Sequence, residues 1–130
     1  MSDVLVDSSV WIDFFRGVPD ARRRLDPLLT NGRAAICGPV YAEILSGARE
    51  RSMFDRLARV LRSQPSLETP PLGWERVAEI RFSLARQGLQ ANMVDMVIAL
   101  TALHAGHSLL ARDRDFQFIG RAVMIEVQIF

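Results

Sequence analysis

The sequence contains no lysine, because all sixteen of its basic residues are arginine. Any reaction that depends on a lysine amine is therefore excluded. Cysteine is almost absent as well. The single Cys37 rules out a disulfide framework and a cysteine-based zinc site. We expect Cys37 to be a small, buried, apolar side chain.

Long hydrophobic runs are also missing. The longest apolar stretch is far shorter than the ~20 residues that a transmembrane helix needs. The start of the chain, Met1-Ser2-Asp3, lacks the basic region of a secretory signal. The sequence therefore predicts a cytoplasmic protein without a membrane segment. Its 130 residues, 49% of them hydrophobic, predict one domain over residues 1–130 with a sizeable core.

Short apolar runs alternate with helical patterns along the chain, which predicts an α/β sandwich with a parallel sheet. About five strands, mostly parallel, would form the central sheet between flanking helices, in an α/β/α arrangement. The predicted strands span residues 3–7, 34–37, 66–69, 107–111 and 122–127. The predicted helices begin near residues 8, 20, 38, 50, 74, 93 and 116.

Four acidic residues stand at element ends or against an apolar background. Asp7 and Asp113 follow apolar runs, at strand ends where sites form in open α/β sheets. Asp95 interrupts a predicted helix that is otherwise almost wholly apolar. Glu43 lies in mid-helix with small residues three and four positions later, although a helical glutamate alone is usually solvated. Because a buried carboxylate is costly without a partner, this set predicts a shared cation.

Helix capping is the alternative use for two of these carboxylates. Asp7 stands where a helix N-cap is needed, but Ser8 and Ser9 are also good caps, so we expect the Asp7 carboxylate to be free. Ser9 is a candidate for a supporting role beside it. Asp95 follows Asn92 at the capping-box spacing. The helix that carries Asp95 is apolar nearly all round and is therefore expected to be buried on most sides, which favours an internal site for the Asp95 carboxylate.

The last acidic motif, Arg112-Asp113-Arg114-Asp115, offers two carboxylates for one place. One is expected to cap the helix that begins near Phe116, while the other faces the site. Asp113 is nearer the strand end and is the choice for the site, with Asp115 in support. Arg112 and Arg114 are candidates for contact with nucleic acid.

Three or four carboxylates around one point repel one another, and a hard dication removes that problem. Oxygen ligands predict Mg²⁺, or Mn²⁺ in its place. Mg²⁺ held by few carboxylates normally works on phosphate, so the expected chemistry is phosphodiester hydrolysis by a metal-activated water. No Ser/His/Asp or Cys/His set competes, and His104 and His107 are predicted to be structural.

Four short segments follow one another over the whole chain, and each carries one of the four acids: LVDSSVWI at 5–12, PVYAEILSG at 39–47, DMVIA at 95–99 and RDRDF at 112–116. Together they resemble the motifs of PIN domains, specifically of VapC-type toxin ribonucleases. Each motif alone is modest in specificity, but the four in this order are specific.

The resemblance implies a PIN-like fold and a Mg²⁺- or Mn²⁺-dependent endoribonuclease, the toxin of a type II toxin–antitoxin pair. It implies that Asp7, Glu43, Asp95 and Asp113 are the catalytic and metal-binding residues. The substrate would be a structured RNA, such as a tRNA or an rRNA, which Arg112 or Arg114 would contact. The resemblance also implies a homodimer and a small antitoxin whose tail occupies the active-site groove.

The chain departs from the family pattern at Ala111, where a threonine usually stands two residues before the fourth acid. Loss of that hydroxyl removes a hydrogen bond that orients a site carboxylate, which favours weaker metal binding. It also favours the main alternative, a nonenzymatic partner-binding module. A DNA-cutting nuclease is a further alternative. Receiver domains and haloacid-dehalogenase phosphatases are disfavoured, since both use a lysine that this chain lacks.

Overall fold

The computed structural model describes residues 3–130. In that part of the chain five strands form: Val4–Val6 (β1), Ala34–Cys37 (β2), Ser66–Leu67 (β3), Ser108–Ala111 (β4) and Val127–Ile129 (β5). Seven helices connect and flank them: Ser8–Phe15 (α1), Pro19–Thr30 (α2), Gly38–Ser46 (α3), Arg51–Arg62 (α4), Trp74–Arg86 (α5), Met93–Ala105 (α6) and Asp115–Val123 (α7).

All five strands are parallel and lie in the order β3-β2-β1-β4-β5. The central strand is therefore β1, which pairs with β2 on one side and β4 on the other. These three strands are almost wholly buried, which explains why they are continuous apolar runs without alternation. The predicted α/β/α sandwich with about five strands is confirmed, and the sheet is parallel throughout.

Two clusters of buried side chains hold the layers together. The larger cluster surrounds the central strands and includes Trp11, Leu25, Ile98 and Phe116, each at most 1% exposed. The second cluster is formed by α5, α6 and α7 and includes Met96. Because α6 supplies residues to both clusters, it is apolar on nearly every side. Even so, no helix within residues 3–130 is long and apolar enough to cross a membrane.

The last strand lies further along the chain than the sequence predicts. The apolar run at 122–127 predicted a strand, but its first part ends helix α7 at Val123, and β5 covers Val127–Ile129. The run combines two patterns. Its start continues the buried face of α7, and the chain then turns at Met124, whose φ is +64°. The prediction was wrong because apolar content alone does not mark such a turn.

Candidate active site

The four predicted site residues lie at one edge of the sheet, because parallel strands have their carboxyl ends together. Asp7 directly follows β1, and Asp113 lies two residues beyond the end of the neighbouring β4. Strand β2, on the other side of β1, runs straight into α3, which carries Glu43 on its second turn. Asp95, near the start of α6, lies within electrostatic range of the other three, whose charges raise its pKa.

Asp7 is the most buried of these acids, with 5% of its surface exposed. It is itself the N-cap of α1: Oδ2 accepts hydrogen bonds from the Ser9 N–H at 3.3 Å and from the Ser9 Oγ–H at 2.7 Å. The expectation that Ser8 or Ser9 caps this helix is therefore wrong, because Asp7 occupies the extended position before the first turn. The Asp7 carboxylate is therefore not free of the capping role, contrary to the sequence-based expectation.

Two opposing influences act on the ionisation of Asp7. Burial raises the pKa of its carboxyl group, and the charge of Asp113 adds to the rise. The hydrogen bonds from Ser9 and Ser8 act in the opposite direction, but burial outweighs them. The Asp7 carboxylate is therefore held in a place where its negative charge is poorly compensated by the protein.

Glu43 is exposed, and the Ser8 Oγ–H donates a hydrogen bond to its Oε1 at 3.4 Å, which joins α3 to the start of α1. Desolvation raises the pKa of Glu43, and the charge of Asp7 raises it further. Burial raises the pKa of the nearby Cys37 thiol to about 11, with added contributions from Asp7 and Glu43. Cys37 is thus a neutral, buried side chain, as its sequence context predicts.

Asp95 is free of the capping role that its spacing from Asn92 suggests. The Asn92 Oδ1 caps α6 by accepting from the Val94 N–H at 2.8 Å and the Asp95 N–H at 3.4 Å. Only the backbone of Asp95 takes part in this cap. Burial raises the pKa of Asp95 to about 7, and the charge of Asp7 is the next largest cause, followed by those of the other acids of the motifs.

Asp113 and Asp115 are both exposed, but they are not equivalent. The Asp115 N–H donates to Oδ1 of Asp113 at 2.9 Å, so Asp113 holds the first turn of α7. The charge of Asp113 also raises the pKa of both Asp7 and Asp95, whereas that of Asp115 is the smallest cause acting on Asp95. The sequence predicted that one of these two acids would cap α7, but the N-cap position is occupied by Arg114, and Asp113 accepts from the first N–H of the helix.

Ser9 joins the ends of two strands. Its Oγ–H donates to Asp7, and its Oγ accepts from the Arg112 N–H at 3.3 Å. The Arg112 side chain forms an ion pair with Asp13, with Nε 3.1 Å from Oδ2. Sequence patterns did not single out Asp13, although it lies one helical turn after Ser9. Arg114, the other arginine predicted to contact RNA, is exposed.

The donor set fits a hard divalent cation. All four side chains offer only carboxylate oxygens, and a dication would offset the burial and mutual repulsion that oppose their ionisation. Within residues 3–130 no group of three acidic, histidine or cysteine side chains forms a ready ligand cluster. The arrangement suits a cation that takes few carboxylates and keeps several water ligands, as Mg²⁺ does. His104 and His107 flank the start of β4, at the opposite end of that strand.

Comparisons with known proteins agree with this geometry. A family model described as PIN domain matches residues 4–122. Ribonuclease VapC11 of Mycobacterium tuberculosis is 30% identical over 132 residues, which cover 98% of this chain and 98% of that protein.

Solved structures share the fold at lower identity. VapBC2 from Rickettsia felis, bound to a DNA fragment from its promoter, superposes with a TM-score of 0.75 at 18% identity and covers 97% of each chain. A toxin–antitoxin complex from Klebsiella pneumoniae superposes with a TM-score of 0.66 at 24% identity, covering 88% of this chain and 90% of the other. With a family match over residues 4–122 and a VapC relative aligned over nearly its whole length, the chain belongs to the PIN-domain family, among the VapC proteins.

Proposed function

We propose that this chain is a metal-dependent endoribonuclease that acts as the toxin of a type II toxin–antitoxin pair. One observation carries the proposal: burial and mutual repulsion raise the pKa of Asp7, Glu43 and Asp95 at one edge of the sheet, with Asp113 beside them. Such an arrangement costs folding free energy when the acids are ionised. A function that needs the carboxylates together accounts for that cost.

The relatives support the substrate and the partner. Ribonuclease VapC11 aligns with nearly the whole chain, and a toxin–antitoxin complex has the same fold. We further propose that residues 1–130 act as one domain and that the substrate is a structured RNA, such as a tRNA or an rRNA. A small antitoxin protein is the proposed partner, and a homodimer is the proposed assembly.

A groove of about 550 Å³, lined by none of the four acids, supports a protein segment such as an antitoxin's as partner. It lies between α1, α3 and α4, and α3 also carries Glu43. Apolar side chains from these helices line it together with two arginines and one glutamate, which include Phe15, Ile44, Met53, Arg16, Arg49 and Glu50. An antitoxin segment with apolar anchors and an acidic side chain would complement such a groove.

The four acids would hold a Mg²⁺ or Mn²⁺ ion in this proposal. The bound ion supplies Lewis-acid charge for hydrolysis of a phosphodiester bond. Other residues of the chain orient its ligands. Ser9 fixes the direction of the Asp7 carboxylate through the 2.7 Å hydrogen bond. Asn92 fixes the first turn of α6, on which Asp95 stands.

Asp7→Asn is the sharpest test, because asparagine caps a helix as well as aspartate does and the substitution removes the charge while it replaces one carboxylate oxygen with an amide nitrogen. Purified protein is incubated with a structured RNA and a matched DNA, with Mn²⁺ or with EDTA. We expect the unsubstituted protein to cut RNA only with Mn²⁺, and Asp7→Asn to reduce the rate about 10²-fold or more. Asp26→Asn, an exposed acid on α2, is the charge-matched control and should cut normally.

Three outcomes would contradict parts of the proposal. Undiminished cleavage by Asp7→Asn would refute the site. Protein that binds Mn²⁺ but cuts no RNA would favour the nonenzymatic partner-binding module. Equal cutting of RNA and DNA would favour a general nuclease.

A further inference from the structure

Arg112 stands immediately before Asp113 and is held on more than one side. Its Nε lies 3.1 Å from Oδ2 of Asp13 on α1, and its Nη1 donates to the carbonyl oxygen of Phe130 at 3.1 Å. The carbon at the centre of its guanidinium group lies 4.1 Å from the centre of the Phe130 ring. Only 23% of the side chain is exposed. An arginine engaged in this way would lose these contacts if it reached out to a nucleic acid.

One face of α1 holds both the backbone and the side chain of Arg112. Ser9 and Asp13 are four residues apart on α1 and are therefore neighbours on that face. The Ser9 Oγ accepts from the Arg112 N–H at 3.3 Å and donates to Asp7 at 2.7 Å. A continuous chain of hydrogen bonds thus connects Asp7 with the residue next to Asp113.

Phe130 completes the enclosure of Arg112 from the side of β5. Ala111 pairs with Ile129 in the ladder between β4 and β5, so Arg112 and Phe130 stand next along these two strands. The Phe130 ring also contacts the guanidinium group of Arg24 on α2, at 5.1 Å. One cation–π contact and one hydrogen bond therefore join Phe130 to Arg112, and a second cation–π contact joins its ring to Arg24.

We propose that Asp13, Arg112 and Phe130 form a latch that positions Asp113, and that Arg112 is a positioning residue instead of an RNA contact. The proposal rests on the metal-dependent function proposed above. Asp113 is exposed, so its own packing does little to fix it. The latch and Ser9 fix the backbone before Asp113, and α7 fixes the backbone after it.

The two arginines of the motif then have different roles. Arg114 is exposed and, among residues 3–130, has no ion-pair partner, so it is the one able to meet a phosphate. Loss of a phosphate contact weakens RNA binding. It also reduces the salt slope, the slope of the logarithm of the binding constant against the logarithm of the salt concentration, by about 1. Loss of a residue that orients a metal ligand reduces metal affinity about 10- to 100-fold. The two roles can therefore be separated by measurement.

The experiment compares Arg112→Ala with Arg114→Ala, which removes the same charge two positions away. Calorimetry gives the Mn²⁺ affinity, RNA binding in EDTA at several salt concentrations gives the salt slope, and steady-state cleavage gives kcat and KM. We expect Arg112→Ala to lower Mn²⁺ affinity and kcat about 10- to 100-fold with KM and the salt slope unchanged. Arg114→Ala should instead weaken RNA binding and reduce the salt slope by about 1, with unchanged Mn²⁺ affinity.

Further variants separate positioning from general destabilisation. Asp13→Asn and Phe130→Leu each remove one part of the latch and should lower Mn²⁺ affinity in the same direction, by less. Leu84→Ala, which truncates a buried side chain of α5 in the second cluster, destabilises the fold away from the latch and should leave Mn²⁺ affinity unchanged.

Unchanged Mn²⁺ affinity in Arg112→Ala would overturn the latch, and so would a rise in KM with a smaller salt slope. If Arg112→Ala does not fold, the other two variants decide: unchanged Mn²⁺ affinity in both Asp13→Asn and Phe130→Leu would also overturn the latch. Equal loss of affinity in Leu84→Ala would also count against it. Because Mn²⁺ affinity is measured without cleavage, a protein that cuts no RNA would refute the ribonuclease while the binding measurements still decide the latch.

Discussion

Asp95→Asn is expected to stabilise the protein while it weakens the metal site. Asp95 is partly buried at the start of α6, and burial together with the charges of neighbouring acids raises its pKa from 3.8 to about 7. The ionised carboxylate therefore costs folding free energy at neutral and alkaline pH. Asparagine is close to aspartate in size and carries no charge, so the substitution removes that cost.

The pH dependence of this gain follows from proton linkage. Because the pKa of Asp95 is higher in the folded protein, the folded state binds more protons, and stability falls as the pH rises from about 4 to about 7. A rise from 3.8 to about 7 corresponds to ~4 kcal/mol at about 1.36 kcal/mol per pH unit. Asp95 is partly solvated, and screening reduces the expected gain to about 1–3 kcal/mol. The gain in the free energy of unfolding of Asp95→Asn over the unsubstituted protein should be near zero at pH 4 and complete above pH 7.

Urea unfolding in EDTA at pH 4 and at pH 8 measures this difference. Asp26→Asn is the control and should change the free energy of unfolding by less than about 0.5 kcal/mol at either pH. A second series adds Mn²⁺ at about 100 times its Kd, which should stabilise the unsubstituted protein by about 2.7 kcal/mol. Asp95→Asn should gain much less from the metal if Asp95 is one of its ligands, as proposed above.

Two results would refute this reasoning. An equal effect of Asp95→Asn at pH 4 and pH 8 would show that ionisation of the carboxylate costs the fold nothing. A full response of Asp95→Asn to Mn²⁺ would show that Asp95 is no ligand, whatever its effect on stability.

Two further predictions concern a helix cap and a close contact. Asn92→Ala removes the side chain that accepts two N–H groups in the first turn of α6, and should lower the free energy of unfolding by about 1 kcal/mol. Gly120→Ala brings a Cβ to 2.5 Å from a Val127 methyl group and should cost about 1–3 kcal/mol, whereas Gly47→Ala meets nothing closer than 3.5 Å. Urea unfolding checks both. The first prediction is contradicted if Asn92→Ala is as stable as the unsubstituted protein. The second is contradicted if Gly120→Ala is as stable as Gly47→Ala.

Local patterns in the sequence are sufficient for most of the elements. Helix α6 has the predicted bounds, because Asn92 caps its start and Gly106 ends it with a φ of +71°. The buried strands β1 and β2 are recognisable as continuous apolar runs. A continuous apolar run predicts the wrong position for β5, because the run before this strand belongs partly to α7.

The sequence by itself determined which acids stand at the carboxyl ends of neighbouring strands, because parallel pairing of apolar runs brings Asp7 and Asp113 to one edge. Only the tertiary structure decided how each side chain is used there. Arg112 pairs with Asp13, 99 positions away, and with Phe130, 18 positions away. Local propensity acts over one or two helical turns, whereas these contacts join elements that are distant in the chain. The positions of the four acids are therefore readable from the sequence, and the long-range contacts of Arg112 are not.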